Sequence, residues 1–133
     1  MIVLDSSAVI TWLLGLPAAP AVEERIGRVG ETLHAPELMP IEVAQVVRRY
    51  ESTRQIATQR ASQAIDDLAA LSVAYYSHTA LLPAIWGLRM NLTAYDAAYV
   101  ALAVALDASL VTLDSRIANA PGNPARVELL RTA

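Results

Sequence analysis

The sequence predicts an α/β domain of three layers, with a mainly parallel central sheet of about five short strands and helices on both faces. Three observations carry this. Strand-like and helix-like stretches alternate along the 133 residues, the pattern left by parallel strands joined through right-handed helical crossovers. Two short runs, Ile2-Val3-Leu4 and Leu110-Val111-Thr112-Leu113, are continuously apolar, as in strands covered on both faces, and each ends on an acid, Asp5 or Asp114. The stretch Ala97 to Leu106 is apolar on every face and too short to span a membrane, so it suits a helix buried in a core.

The elements follow in order. After the strand ending at Asp5, Ala8 to Leu14 reads as a helix, and Gly15 to Pro20 as a loop. Ala21 to Val29 is a short helix with Glu23, Glu24, Arg25 and Arg28 on its wet side, and Leu33-His34-Ala35-Pro36 a short strand, stopped by the proline. The next helix spans roughly Glu37 to Ser52, its start set by Pro36 or by Pro40, with Met39, Val43, Val46, Val47 and Tyr50 as its apolar stripe. Thr58 to Leu71 is a second amphipathic helix, and Ser72 to Tyr76 a third strand. Pro83 to Met90 makes a helix closed by Asn91, and Thr93 caps the apolar helix that follows. Past Asp114 come a helical turn, Ser115 to Asn119, a loop, Pro121 to Pro124, and a last small strand, Val127 to Leu130. No linker, repeat or low-complexity segment interrupts the series, so residues 1–133 are expected to fold as one domain.

Composition narrows the chemistry. There is no cysteine, which removes disulfides and thiolate metal sites. All ten basic residues are arginine, which removes any mechanism needing a lysine base or Schiff base. No basic leader or long apolar run is visible, so a cytoplasmic protein is expected. The net charge of −3 is unusual for a nucleic-acid binder. If four of the 13 acids formed a metal site, however, nine acids would face ten arginines, leaving +1 before the metal is counted.

Four acids are candidates for chemistry. Asp5 and Asp114 fall at carboxyl ends of strands, the edge where open α/β sheets bind ligands, although Asp5 could equally cap the next helix, as could Ser6 or Ser7. Asp96 falls at N3 of the helix capped by Thr93, where free N–H groups and the helix dipole favour a carboxylate whether or not it has another role. Glu42 lies on the boundary of its helix's apolar stripe, a position open either to a crevice or to solvent. Arg48, Arg49, Arg54 and Arg60 form a modest basic zone, able to touch phosphates or simply to be solvated, and Arg116 has the same two readings. His34 lacks a nearby carboxylate or second histidine and reads as structural.

Met1-Ile2-Val3-Leu4-Asp5-Ser6-Ser7-Ala8, Pro36-Glu37 through Glu42-Val43-Ala44, Tyr95-Asp96-Ala97-Ala98-Tyr99-Val100-Ala101-Leu102-Ala103 and Leu110-Val111-Thr112-Leu113-Asp114 resemble, in order, the acidic motifs of PIN-domain ribonucleases. Length and spacing resemble the VapC toxins of bacterial toxin–antitoxin pairs. Pro40 and Gln45 depart from the usual pattern, the latter where relatives often carry asparagine. The resemblance implies a magnesium- or manganese-dependent endoribonuclease, usually a homodimer, held inactive by a small antitoxin whose tail occupies the active-site groove. Magnesium keeps several of its waters and takes one or two carboxylates directly, which on this reading are Asp5 and Asp96. Glu42 and Asp114 then orient water or help hold a second ion, and Ser6 and Thr112 donate hydrogen bonds that fix the metal-binding carboxylates. Two other classes share parts of the pattern. One is a PIN-fold module that binds RNA without cutting it. The other is a phosphatase of the haloacid-dehalogenase type, disfavoured because Ser7 stands where its second aspartate belongs and because lysine is absent.

Overall fold

A computed structural model describes residues 1–132. Its sheet has five strands, β1 (Ile2–Leu4), β2 (Leu33–Pro36), β3 (Val73–Tyr76), β4 (Ser109–Thr112) and β5 (Val127–Leu129), in the spatial order β3-β2-β1-β4-β5. Every pairing is parallel. The chain starts in the middle, builds outward through β2 and β3, then crosses back to add β4 and β5 on the other side of β1. That reversal puts a topological switch point between β1 and β4, where Leu4 pairs with Val111, and a crevice opens outside the carboxyl ends of such strands.

Seven helices complete the layers: α1 (Ser6–Leu14), α2 (Ala19–Ile26), α3 (Met39–Ser52), α4 (Thr58–Ala70), α5 (Leu82–Gly87), α6 (Ala94–Leu106) and α7 (Ser115–Ala118). Helix α1 packs against α2, α3, α4 and β4, whereas α6 lies across β1, β2 and β4 with α5 beside it. The central position of α6 explains its composition. Ala97 through Ala103 are all buried, Tyr99, Val100 and Leu102 almost completely, and each such larger side chain contributes about 1.5–3 kcal/mol. The small alanines let the helix approach the sheet closely. Its last turn departs from the sequence expectation, because Val104 is 49% exposed. Val104 continues the face of Ala97 and Ala101 that meets α5, but it lines an open groove beside Leu81, Gly87 and Leu88, and the helix ends at Asp107 in a left-handed conformation.

Two prolines fall as the sequence allows, whereas Arg25 departs from its expected place. Pro36 lies inside β2, paired with Tyr76 of β3. The pairing with β1 stops at His34, so at Pro36 the strand is bonded on one side only and its missing N–H costs no ladder bond. Pro40 sits in the first turn of α3, after Leu38 at the cap position, where a proline's fixed φ suits a helix start. Arg25 is not on a wet surface. It is buried, and its guanidinium donates to Glu31 at 2.5 Å and to Glu128 at 2.6 and 3.2 Å, tying α2 to β5 and to the loop before β2. Removing one partner from such a buried pair typically costs about 3–5 kcal/mol. Glu31 is held down to about 2 by the Met1 ammonium, with Arg25 adding to the effect.

Smaller differences concern ends. Helix α2 starts two residues earlier than expected and stops at Ile26, and a 3₁₀ turn at Thr79–Leu81 precedes an α5 that closes at Gly87. His34 is structural as expected, buried between Thr32 and the Tyr76 hydroxyl at 2.8 Å each.

Candidate active site

Asp5 follows β1 and occupies the cap position of α1, yet its carboxylate makes no capping bond. It is 3% exposed and is turned instead toward β4, where its Oδ2 accepts hydrogen bonds from the Ser7 hydroxyl at 2.6 Å and the Thr112 hydroxyl at 2.7 Å. Both hydroxyls are themselves anchored. Ser7 Oγ accepts from the Leu113 N–H at 3.0 Å and Thr112 Oγ1 from the Asp114 N–H at 2.9 Å. The clasp thus joins the ends of β1 and β4 to the start of α1 and fixes Asp5 at the switch point. Thr112 has the orienting position expected of it. Ser6 does not: the hydroxyl that bonds Asp5 is that of Ser7, and Ser6 instead favours ionised Glu42 through its own hydroxyl.

Asp96 stands at N3 of α6 as expected, its backbone N–H donating to Thr93 Oγ1 at 3.1 Å, and it is half-buried. Glu42 sits in the first turn of α3, also half-buried, and its Oε1 accepts from the Tyr99 hydroxyl at 2.5 Å. Asp114 caps α7, accepting from the Arg116 backbone N–H, and its carboxylate pairs with the Arg116 guanidinium at 2.8 Å. Arg116 is therefore neither a lone surface charge nor a free phosphate contact. Of the wider basic zone, Arg60 is committed to the Leu13 carbonyl, and Arg48 lines a groove between α3 and α4 beside Glu51 and Asp66.

The electrostatics separate these acids into two kinds. Burial raises the pKa of Asp5, with the Asp114 charge adding to it and the two hydroxyls opposing. Burial also raises Glu42 and Asp96, each pushed further by the Asp5 charge, while Glu42 feels Asp96 and Asp96 feels Asp114. Asp114 alone is lowered, by Arg116. Asp5, Glu42 and Asp96 thus keep raised carboxyls near one another, with the Arg116 charge only partly offsetting this at Asp96, a state that a bound cation relieves. Among the described residues, no three acids or histidines are close enough to enclose an ion by themselves. The donor set of hard oxygens, with no thiolate or imidazole, fits a cation that keeps part of its water shell, and does not fit a closed structural cage.

Tyr99 has a place in the site that the sequence reading did not give it. It lies three residues after Asp96 on the same face of α6, and that spacing was its only local signal. Its phenol is pushed far above its ordinary value by burial and by Glu42.

An α/β domain whose parallel sheet gathers four carboxylates at its switch point defines the class. Comparison with known proteins narrows it. Residues 2–123 match the PIN domain. Ribonuclease VapC1 of Mycobacterium tuberculosis is 41% identical over 131 residues, covering 97% of each chain. Ribonuclease VapC9 of the same organism is 37% identical over 119 residues, or 90% of each. The crystal structure of VapBC2 from Rickettsia felis, bound to a DNA fragment from its promoter, contains a chain that superposes with a TM-score of 0.70 over 98% of this protein and 100% of that chain. At 16% identity that last likeness is one of fold. The protein belongs to the PIN-domain family, in its VapC group.

Proposed function

We propose that this protein is a metal-dependent endoribonuclease that hydrolyses RNA phosphodiester bonds and acts as the toxin of a toxin–antitoxin pair. The observation that carries the proposal is the buried Asp5, locked in place by Ser7 and Thr112, whose charge reaches both Glu42 and Asp96 and pushes their carboxyls up. Three carboxyls raised chiefly by burial, two of them raised further by the Asp5 charge, are costly to keep for structure alone. The names of the relatives, both ribonucleases, support the same reading.

On this proposal Asp5 and Asp96 hold the ion, magnesium or manganese, which supplies Lewis-acid charge at the scissile phosphate. Glu42 orients the attacking water from the α3 side. Asp114, kept ionised by Arg116, does so from the end of β4. Ser7 and Thr112 hold Asp5 in the rotamer that faces the crevice. An acidic groove of this kind suits inhibition by a partner that presents cations, so the antitoxin is proposed to insert an arginine from a tail that folds on binding. The protein is further proposed to act as a single domain of residues 1–133, as a homodimer, in the cytoplasm. Among the described residues no helix is long and apolar enough to cross a membrane.

The competing reading is a PIN-fold module that binds RNA without cutting it, in keeping with the finding that no three acids or histidines among the described residues enclose an ion. Incubating the purified protein with single-stranded RNA in magnesium, in manganese and in chelator separates the two. The expected result is cleavage in either metal and intact RNA in chelator. RNA that is bound but intact under every condition establishes the silent module instead.

A further inference from the structure

We infer that Tyr99 is a positioning residue of the site, holding the Glu42 carboxylate at a fixed distance from Asp96. The inference rests on the nuclease reading and adds to it a residue with no contact to substrate. Tyr99 is completely buried, so its hydroxyl cannot reach RNA or a solvent-exposed ion. Glu42 is its partner, 57 residues away in sequence and on a different helix, at 2.5 Å. Glu42 needs such a partner. Its carboxylate hangs on a side chain with three rotatable bonds at the rim of α3, beside two carboxyls that repel it, and left to itself it would turn toward water. A phenol held by only two side-chain torsions and packed into the core is a stiff anchor by comparison.

The location of the anchor matters as much as its stiffness. Tyr99 and Asp96 ride on the same helix, three residues apart. The bond therefore ties Glu42 to the element that carries Asp96, and the spacing between these acids is set by the rigid geometry of α6. Glu42 Oε1 is taken by the phenol at 2.5 Å, and the Ser6 hydroxyl, which also favours the ionised carboxylate, is a second and lesser hold on it.

The test is a double-mutant cycle of Tyr99→Phe with Glu42→Gln. Phenylalanine keeps the buried ring and removes only the hydroxyl, and a cooperative thermal melt checks that the variant folds. Cleavage of a short RNA in magnesium should fall about 10- to 100-fold in Tyr99→Phe, the range usual for groups acting through another residue. The loss should appear in kcat with KM nearly unchanged. In the Glu42→Gln background, adding Tyr99→Phe should cost less than about twofold, because there is no carboxylate left to position. Cleavage by folded Tyr99→Phe within twofold of the unsubstituted protein overturns the inference. So does an equal loss in both backgrounds, which would mean that the hydroxyl acts through the fold alone. The same cycle is read a second time as the rise in melting temperature produced by millimolar manganese, where the two substitutions should again be non-additive. If the unsubstituted protein leaves RNA intact, the nuclease reading has failed, and this second cycle still decides whether Tyr99 positions Glu42.

Discussion

Replacing Thr112 with valine tests the clasp that fixes Asp5, with almost no change in shape. The threonine is completely buried and its hydroxyl does two things, donating to Asp5 Oδ2 at 2.7 Å and accepting from the Asp114 N–H at 2.9 Å. A hydrogen bond to a charged group contributes about 1.5–3 kcal/mol, and a stranded polar group costs about 1–3 kcal/mol. Ser7 remains on Asp5 and the Asp114 N–H is only partly buried, so the lower half of the combined range applies. The substitution should destabilise the protein by about 3 kcal/mol, or roughly 10 °C in melting temperature for a chain of this size. The effect should also depend on pH in a defined direction. Thr112 favours the ionised form of Asp5 against burial, so losing it raises the folded pKa of Asp5 further. The deficit should be full at neutral pH and shrink as the pH falls through that raised pKa. Urea denaturation of both proteins in chelator at pH 7.5 and at about pH 5 measures it. A loss below about 1 kcal/mol at neutral pH, or a loss that grows on acidification, refutes the reasoning.

Other predictions follow from the same charges. Asp5, Glu42 and Asp96 have folded pKa values raised above their unfolded ones, so the metal-free protein should lose stability as pH rises from the ordinary carboxylate range through the raised values. Asp114, Glu31 and Glu128 are lowered and act in the opposite sense, their contribution being lost as pH falls below about 4. Melting temperature in chelator should therefore peak in mild acid, near about pH 5 to 6; a steady fall from pH 7.5 downward contradicts this. Asp96→Asn gives up a helix-dipole contribution of about 0.3–1 kcal/mol but removes a carboxyl that Asp5 and Asp114 repel. It should melt higher than the unsubstituted protein in chelator and gain less from millimolar magnesium, since the ion stabilises only the folded site. A variant that melts lower without metal, and gains as much with it, reduces Asp96 to a helix anchor.

The parts of the fold and site legible in the sequence are those written locally. Short, continuously apolar runs placed Asp5 and Asp114 at strand ends, and a threonine three residues ahead of Asp96 fixed that acid's position in the first turn of α6, which the Thr93 bond bears out. Glu42 was ambiguous on its helix wheel and gained a role only from the resemblance, because its partner Tyr99 lies 57 residues away. The same reason hid the fate of Arg25. A helix wheel turns it to solvent, but a second acid, Glu128, arrives from 103 residues on and draws it inside. Choosing between Ser6 and Ser7 failed for a finer cause: adjacent identical residues differ only by the 100° turn of a helix whose phase the sequence leaves open by one residue. Exposure at Val104 depends on how far α5, which ends at Gly87, covers that face of α6, which no local pattern encodes.

The central claim, that Asp5 and Asp96 form one catalytic centre with a divalent ion, is tested most directly by RNA cleavage with Asp5→Asn and Asp96→Asn at saturating magnesium. Both variants keep the size of the side chain, remove its charge and leave one carboxamide oxygen as acceptor. Each should lose well over the roughly 100-fold that marks the upper end for groups outside the ion's immediate ligands, while still melting cooperatively. Cleavage that stays metal-dependent and close to the unsubstituted rate in both variants would contradict the account.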